Sequence, residues 1–350
     1  MSEIKLAVLS GAKVFGNKVD VELKRLNKTN KSYIIDMEEV RFSNGEGKAK
    51  IYSSIYRSDL YIIGDIGNYG VSYMLHGQNH YMSPDEHYAD IRRIVAATDA
   101  YTSRTNVVMP LLYESRQHKR KGIESLDCAI ALQELERMGI ESVITFDAHD
   151  PSICNAVPEL EFDNFYPTNE ILSELVENEK LSELLVISPD IGAIERARYY
   201  AEMLPSDVGV FYKRRDLSKI VNGKNPIIEH MYMGPDSKGK DIIIVDDMIA
   251  SGSSMLEVAS MLKDAGARNI YLIATFSLFT DGIEIFDTAY KNGLFSKLYT
   301  TNLSYVPDDI KKKIWFKEVD MSKYMALIIN TLNKKEDINK LRKPKILIKK

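Results

Sequence analysis

The sequence predicts an α/β protein of two domains, each with a mainly parallel sheet flanked by helices. Apolar, β-branched runs alternate with longer segments of helical periodicity, which is the pattern of parallel α/β sheets. The apolar runs are short and end at Gly, Asp or Pro, as expected of strands covered on both faces. At about 150 residues per domain, the 350 residues of the chain correspond to two domains.

The strand pattern occurs repeatedly along the chain. The predicted strands comprise residues 5–9, 60–63, 106–110, 142–146, 184–187, 208–211, 241–245 and 270–275. Amphipathic segments predicted as helices comprise residues 90–100, 125–138, 194–203 and 254–265. Two of these stretches are similar, since in each a helix ends in Gly and a charged residue precedes the next buried strand. Two related domains would explain this similarity, and so would the fact that helices of α/β proteins commonly end in Gly before the next strand. The sequence favours neither explanation.

We place the two domains at residues 1–158 and 159–330, followed by a basic tail at residues 331–350. The tail has an excess of Lys and Arg over its two acidic residues, Glu336 and Asp337. A charge run of this kind is typical of a solvated segment. We therefore assign it no chemistry.

Composition excludes several classes of protein. With 46 basic and 50 acidic side chains, the net charge of −4 argues against a main role in coating nucleic acid. Cys128 and Cys154 cannot form a disulfide framework and lack zinc-finger spacing, so we expect reduced thiols in a cytoplasmic protein. No apolar run approaches the roughly 18 residues of a membrane-spanning helix. The apolar part of the N-terminus is too short for a signal peptide.

The strongest chemical signal is the segment at residues 241–255. Four apolar residues form a buried strand that is predicted to end at Asp246 and Asp247, and a loop of small residues then opens a helix. Such a loop presents backbone N–H groups and hydroxyls to an anion at a helix N-terminus. Two carboxylates beside a phosphate would repel it unless they bind sugar hydroxyls or Mg²⁺. The segment therefore indicates a sugar-phosphate site, and strand and helix caps alone explain fewer of its residues.

The segment Val-Asp-Asp-Met-Ile-Ala-Ser-Gly-Ser-Ser at residues 245–254 resembles the phosphoribosyl-diphosphate (PRPP) loop of phosphoribosyltransferase-type folds. Five further segments, in the same order, are similar to segments of class I ribose-phosphate pyrophosphokinases, the PRPP synthetases. These are Arg-Phe-Ser-Asn-Gly-Glu at 41–46, Glu-Ser-Arg-Gln-His-Lys-Arg-Lys at 114–121, Phe-Asp-Ala-His-Asp at 146–150, Ser-Pro-Asp-Ile-Gly at 188–192 and Tyr-Lys-Arg-Arg at 212–215. The resemblance extends to about residue 330 and implies two phosphoribosyltransferase-type domains with the active site between them.

The resemblance implies a role for each matched residue. The ATP-binding residues would be Phe42, Asn44, Glu46, Arg116, Gln117 and His149, with Phe42 stacking on the adenine. The ribose 5-phosphate residues would be Asp246, Asp247, Ala250, Ser251, Gly252, Ser253 and Ser254. Lys213 and Arg215 would be the catalytic cations, and His149 and Asp190 would bind Mg²⁺. Taken alone, His149 at a strand end is more often a hydrogen-bonded side chain, because Mg²⁺ prefers oxygen ligands.

The chain departs from the family pattern at several positions. Ala250 stands where the family usually has an acid, and Ser253-Ser254 replace Gly-Thr. Residues 67–87 resemble an insertion, and the stretch at residues 216–240 is several residues longer than usual. In the family those regions serve loop closure, subunit contact and regulation.

These observations predict a ribose-phosphate diphosphokinase that uses ATP, ribose 5-phosphate and Mg²⁺. By the same resemblance we expect a homo-oligomer, a dimer or a hexamer. One alternative is a phosphoribosyltransferase, which would need neither an ATP segment nor two such domains. The other is a non-catalytic, synthetase-like regulatory subunit, which should have lost the catalytic cations and metal ligands.

Overall fold

The computed structural model describes residues 2–98, 100–215 and 227–347. Contacts between residues divide the chain into two compact units. Unit 1 comprises residues 1–167, 302–307 and 320–343, and unit 2 comprises residues 168–301, 308–319 and 344–350. The chain therefore returns to unit 1 twice after residue 301, a connection that apolar patterning did not predict.

The secondary structure alternates between strands and helices along most of the chain. The strands are β1 (Ile4–Val8), β2 (Met37–Arg41), β3 (Gly47–Ile51), β4 (Asp59–Ile63), β5 (Ser72–Leu75), β6 (Gln78–Tyr81), β7 (Arg104–Val108), β8 (Ser142–Phe146), β9 (Glu161–Phe165), β10 (Leu184–Ser188), β11 (Asp207–Arg215), β12 (Ile227–Met233), β13 (Asp241–Ile249), β14 (Ile270–Ser277), β15 (Lys297–Thr301) and β16 (Phe316–Val319). The helices are α1 (Lys13–Leu26), α2 (Pro84–Thr98), α3 (Asp127–Arg137), α4 (Thr168–Asn178), α5 (Ile194–Met203), α6 (Ser253–Asp264), α7 (Glu284–Lys291), α8 (Asp308–Lys311), α9 (Ser322–Asn333) and α10 (Asn339–Arg342).

Unit 1 is built on a five-stranded sheet with the order β1-β4-β7-β8-β9, and all its strands are parallel. Buried residues of α2 and α3, such as Ile91 and Leu132, pack with Leu60 and Val107 of the sheet in one core. The helix α9 packs against α1. Two antiparallel hairpins, β2–β3 and β5–β6, stand apart from the main sheet.

Unit 2 is built on a seven-stranded sheet with the order β12-β11-β10-β13-β14-β15-β16. Its strands are parallel except for the antiparallel pair β11–β12. The chain leaves β10 for β11 on one side and later returns to β13 on the other side of β10. The carboxyl ends of β10 and β13 therefore form a topological switch point, the usual ligand position in open α/β sheets.

The predicted fold class is confirmed, since each unit has a mainly parallel sheet flanked by helices. The basic segment after residue 330 differs from the solvated tail that its charge predicted. Asn333 donates from Nδ2 to Asp59 Oδ2 at 2.9 Å, and Arg342 forms an ion pair with Asp163. Buried carboxylates on unit 1 hold these polar groups, which a count of charges along the sequence does not reveal. Among the described residues, no helix combines the length and apolar character needed to cross a membrane.

Candidate active site

The loop between β13 and α6 is shaped by Gly252, which has a left-handed φ of +79° and caps the N-terminus of α6. A Cβ atom at this position would overlap the ring of Phe286. Phe286 stacks on Trp315 with ring centroids 5.7 Å apart, so the ring has little freedom to give way. Only glycine therefore fits this turn without strain or a clash.

The N-terminus of α6 faces outward from this loop. Ser253 and Ser254 are exposed in its first turn, and the Ser251 hydroxyl lies 3.0 Å from the Ser253 hydroxyl. The first N–H groups of a helix have no partner within the helix, and the helix dipole places partial positive charge there. The carbonyl of Ala250 accepts a hydrogen bond from Thr280 N at 3.0 Å, which fixes the start of the loop. The loop is thus built to receive an anion such as a phosphate.

Asp246 and Asp247 lie inside β13, one and two residues beyond the predicted end of the strand at Val245. The predicted strand end at residue 245 is wrong, because β13 continues to pair with β14 as far as Ile249. Adjacent residues of a strand project to opposite faces of the sheet. Asp246 is half-buried and Asp247 is buried, so the two carboxylates have different surroundings.

The carboxylate of Asp246 has charged neighbours on α5, on its own strand and in the loop after β10. Arg196 of α5 places Nη1 3.9 Å from Asp246 Oδ1. Burial, together with the negative charges of Asp247 and Asp190, raises the pKa of Asp246 well above its usual range, and Arg196 opposes this shift. A site with a raised carboxyl pKa at a switch point is a candidate for function.

Asp190 follows β10 at the same edge of the sheet. Its Oδ1 accepts a hydrogen bond from Ala193 N at 3.1 Å, and its carbonyl accepts one from the Ser188 hydroxyl at 2.6 Å. Unit 2 therefore brings together the predicted residues Asp190 and Asp246 beside the start of the 250–254 loop.

In unit 1 the end of β8 carries the predicted residue His149. Asp147 is buried and has a φ of +42°, and its N–H donates to Phe165 O at 2.8 Å. This turn leaves His149 exposed. The next residue, Asp150, caps a short 3₁₀ helix at Pro151–Ala156 by accepting from Ser152 N at 3.0 Å.

The segment with Arg116 and Gln117 is held against this turn by His118. His118 Nε2 lies 3.1 Å from Asp150 Oδ2, and its ring centroid is 5.5 Å from that of His149. His118 is nearly buried, whereas Arg116 and Gln117 are exposed. Unit 1 therefore brings three predicted ATP residues into one region, through a residue that the sequence did not single out.

Phe42, Asn44 and Glu46 lie on the loop that joins β2 to β3, and all three are exposed. The loop is closed by Gly45 N donating to Phe42 O and Phe42 N donating to Glu46 O, both at 2.9 Å. Phe42 is 48% exposed, although an isolated Phe is more often part of a core. An exposed aromatic ring beside polar side chains suits the recognition of a flat base.

Lys213 and Arg215 belong to β11 by their backbone pairing with His230 and Ile227 of β12. Their side chains lie outside the described part of the structure, as do residues 216–226 of the predicted mobile loop. Their assignment as catalytic cations stays a prediction.

The oxygen atoms of Asp190 and Asp246 are ligands that Mg²⁺ prefers. Within the described ranges, no cluster of three or more His, Cys, Asp or Glu side chains is arranged to hold a metal ion. Mg²⁺ usually keeps several waters and binds one or two carboxylates together with substrate phosphates. The donor set of unit 2 therefore fits Mg²⁺ that binds with a phosphorylated substrate. The predicted pair His149 and Asp190 stays a prediction.

Sequence reasoning missed three side chains of these regions, namely Arg196, His118 and Asp150. Arg196 lies in the first turn of α5, and its side chain is only 10% exposed. Its position shortly after the Ser-Pro-Asp segment was the available signal. The pairing of His118 with Asp150 joins residues 32 positions apart in sequence, and only the fold brings them together.

Taken together, the parallel sheets, the glycine-capped loop and the carboxylates at the switch point define a protein of the phosphoribosyltransferase-type fold. A family model described as the phosphoribosyl transferase domain matches residues 166–287. The model of the N-terminal domain of ribose phosphate pyrophosphokinase matches residues 4–139. The chain belongs to the ribose-phosphate pyrophosphokinase family.

Similar proteins support the same family. A ribose-phosphate pyrophosphokinase of Nostoc sp. is 27% identical over 272 residues, covering 77% of this chain and 74% of that protein. One from Haemophilus ducreyi is 25% identical over 303 residues, covering 85% and 88%. The crystal structure of phosphoribosylpyrophosphate synthetase from Mycobacterium smegmatis has a TM-score of 0.79 at 17% identity, covering 95% of this chain and 99% of that one. That structural likeness concerns the fold.

Proposed function

We propose that this protein is a ribose-phosphate diphosphokinase, which converts ATP and ribose 5-phosphate to AMP and PRPP. The C1 hydroxyl of the sugar attacks the β-phosphorus of ATP, the bond to the α-phosphate oxygen breaks, and AMP leaves. The observation that carries the proposal is the 250–254 loop at the N-terminus of α6, with Asp246 and Asp190 beside it. Family membership connects this site to the ATP segments of unit 1.

In unit 2 the loop at Ala250–Ser254 would bind the 5-phosphate through its backbone N–H groups and hydroxyls. Asp246 and Asp247 would accept hydrogen bonds from the ribose hydroxyls. Because Gly252 carries no Cβ, the backbone of the loop could approach the 5-phosphate closely. This division of work explains why carboxylates stand beside an anion-binding loop.

In unit 1 Phe42 would stack on the adenine, while Asn44 and Glu46 would hydrogen-bond its edge. Arg116, Gln117 and His149 would contact the phosphates of ATP. Lys213 and Arg215 would neutralise the charge that collects on the transferred diphosphate. Mg²⁺, bound with the phosphates near Asp190, would supply further charge neutralisation. We place the reaction in the cytoplasm, as its two free thiols suggest.

The test is incubation of the protein with ATP, Mg²⁺ and ribose 5-phosphate, with AMP and PRPP measured together. We expect equal amounts of both products, and neither product without ribose 5-phosphate or after removal of Mg²⁺ by a chelator. Lys213→Ala should lower turnover by several orders of magnitude and leave ribose 5-phosphate binding nearly intact, because a cation at that point acts on transition-state charge.

Two results would contradict the proposal. Binding of both substrates without product would indicate a regulatory subunit. Consumption of PRPP with a nitrogenous base, without synthesis from ATP, would indicate a phosphoribosyltransferase. Unchanged turnover in Lys213→Ala would remove the role assigned to that lysine.

A further inference from the structure

The stretch at residues 67–87, which the sequence predicts to be an insertion, forms the hairpin β5–β6 before it enters α2, and we refer to β5–β6 as the inserted hairpin. Its two faces differ. Tyr73 and Leu75 of β5 are half-buried, whereas Met74 on the same strand and Tyr81 on β6 are 61% and 60% exposed. The hairpin therefore has one face that packs within unit 1 and one face that does not.

The packed face of the inserted hairpin meets the loop that carries Phe42. A Cβ atom at Gly45 would lie 3.2 Å from Leu75 Cδ1 and 3.6 Å from the Tyr73 hydroxyl oxygen. The guanidinium carbon of Arg41, at the end of β2, lies 5.2 Å from the centre of the Tyr73 ring. Tyr73 thus lies beside both the stem and the tip of the 42–46 loop, and Leu75 lies beside its tip.

Tyr73 is itself fixed in place by Glu86 of α2. Its hydroxyl donates to Glu86 Oε1 at 2.6 Å, and His80 of the opposite strand places Nε2 2.9 Å from Glu86 Oε2. Glu86 also accepts from Ser83 N at 2.9 Å. The contact surface offered to the 42–46 loop is therefore anchored to a helix of the core.

Arg41 is anchored in a similar way. Its guanidinium forms an ion pair with the buried Asp90 of α2, which also binds Arg93 at 2.6 Å. The Arg41 guanidinium therefore contacts the carboxylate of Asp90 and also lies near the ring of Tyr73. The base of the loop and the inserted hairpin therefore share one support, α2.

An isolated two-stranded hairpin is marginally stable in water. A binding loop at its tip loses conformational freedom when it takes up a ligand, and that loss weakens binding unless the loop is already ordered. The 42–46 loop carries an exposed Phe42 on such a hairpin. The contacts from Tyr73 and Leu75 reduce this freedom before any ligand arrives.

We propose that the inserted hairpin holds the 42–46 loop in the conformation that accepts the adenine base, with Tyr73 and Leu75 as positioning residues. The proposal rests on the proposed function, because that function assigns the loop to ATP. Neither residue is assigned a contact with the nucleotide. Their effect is on the affinity for ATP and not on the sugar-phosphate site.

The experiment compares Tyr73→Ala and Leu75→Ala with the matched control Tyr81→Ala, which makes the same change as the first on the exposed face of the same hairpin. Calorimetric titration with ATP and, separately, with ribose 5-phosphate gives the affinities, and initial rates give the KM of each substrate. We expect Tyr73→Ala and Leu75→Ala to weaken ATP about three- to tenfold. In these two variants the affinity for ribose 5-phosphate should stay within about twofold of that of the unaltered protein. In Tyr81→Ala the affinities for both ATP and ribose 5-phosphate should stay within the same limit.

Phe42→Ala, measured beside these variants, separates the two proposals. If Phe42→Ala leaves ATP binding unchanged, the assignment of the loop to ATP is wrong and the positioning role falls with it. If Phe42→Ala weakens ATP but Tyr73→Ala and Leu75→Ala do not, only the positioning role is overturned. An equal loss in Tyr81→Ala, or an equal loss for ribose 5-phosphate, would also overturn it, since either would indicate general damage to the hairpin or the fold.

Discussion

Gly252 is subject to a backbone constraint and a steric constraint, whereas Gly293 of the same unit is subject only to the first. Gly252 has a left-handed φ of +79°, and a side chain there would meet Phe286. Gly293 has a similar φ of +68° but has open space where its Cβ would be. The two positions therefore allow the backbone effect and the steric effect to be measured apart.

We expect Gly293→Ala to cost about 1 kcal/mol of unfolding free energy, which is the usual penalty for a left-handed alanine. Gly252→Ala should cost at least about 2 kcal/mol and should also weaken ribose 5-phosphate, because the loop must move away from Phe286. Chemical denaturation and calorimetric titration provide the two measurements. Equal stability of the two variants would show that Phe286 yields to the new methyl group.

A second prediction concerns the two carboxylates of β13, Asp246 and Asp247, to which the proposed function assigns the ribose hydroxyls. Asp246→Asn/Asp247→Asn keeps size and hydrogen-bonding capacity but replaces charged acceptors by amides, each such bond being worth roughly 1.5–3 kcal/mol. We expect ribose 5-phosphate to bind at least tenfold more weakly, with ATP much less affected. Titration with each ligand in turn checks this. If both carboxylates were only structural, lower repulsion should leave phosphate-ester binding equal or better.

Among the connecting segments, the one that follows β7 meets the turn after β8 at Asp150, which lies 3.1 Å from His118 and 4.0 Å from Lys119. The Ser152 hydroxyl and His118 hold the pKa of Asp150 below its usual range. His118→Ala and Asp150→Ala should each raise the KM for ATP, because Arg116 and Gln117 lose their support.

The double variant should then be little worse than either single one, since both remove the same interaction. Steady-state kinetics with ATP as the varied substrate would show this, and the KM for ribose 5-phosphate serves as the internal control. Additive losses would mean that the two side chains act independently.

Elements with a strong pattern were predicted well, and short polar elements were not. The strand at residues 142–146 and the helix at residues 194–203 were predicted with the bounds that the structure has. The strand is buried along its whole length and is therefore a continuous apolar run, and the helix is long enough for its apolar positions to show a helical period. The hairpins β2–β3 and β5–β6 were missed, because their strands have four or five half-exposed residues and contain no apolar run.

The same reasoning explains what could be predicted of the candidate site. The PRPP-type loop is contiguous in sequence, so its place between a strand and a helix followed directly. The strand end was set too early, because apolar character stops at Val245 while backbone pairing continues through Met248 to Ile249. Arg196 and Asp150 belong to contacts between distant segments, and a single sequence carries no record of such contacts.

At the scale of the whole chain, the segment at residues 302–307 is bound to the rest of unit 1 by the carboxylate of Asp65. This carboxylate accepts from Gly67 N at 3.0 Å, from the Ser304 hydroxyl at 2.8 Å and from Tyr305 N at 2.8 Å. Burial raises the pKa of Asp65 to about 7, although these donors favour the charged form. Because folding raises the pKa, Asp65 contributes most to stability below about pH 4, and this contribution is lost as the pH rises through 7.

We therefore expect Asp65→Asn to flatten the fall in unfolding free energy between about pH 4 and pH 7, by an amount on the order of a few kcal/mol. Denaturant titrations of both proteins across that pH range provide the measurement. A parallel pH dependence in the two proteins would mean that Asp65 is charged throughout.

By its family we also expect the protein to assemble into homo-oligomers, a dimer or a hexamer. Light scattering at working concentration should give a mass that is a multiple of 39.8 kDa. A mass near that of one chain would contradict this expectation.

The path of the chain after residue 301 has a consequence for the engineering of this protein. Because unit 1 takes residues 302–307 and 320–343 from the far end of the sequence, no single cut separates one unit from the other. A fragment that stopped near residue 167 would lack α9 and its contact with α1, together with the Ser304 and Tyr305 partners of Asp65. A chimaera made with one crossover would therefore divide unit 1, whereas exchange of unit 1 as a whole would have to include residues 302–307 and 320–343.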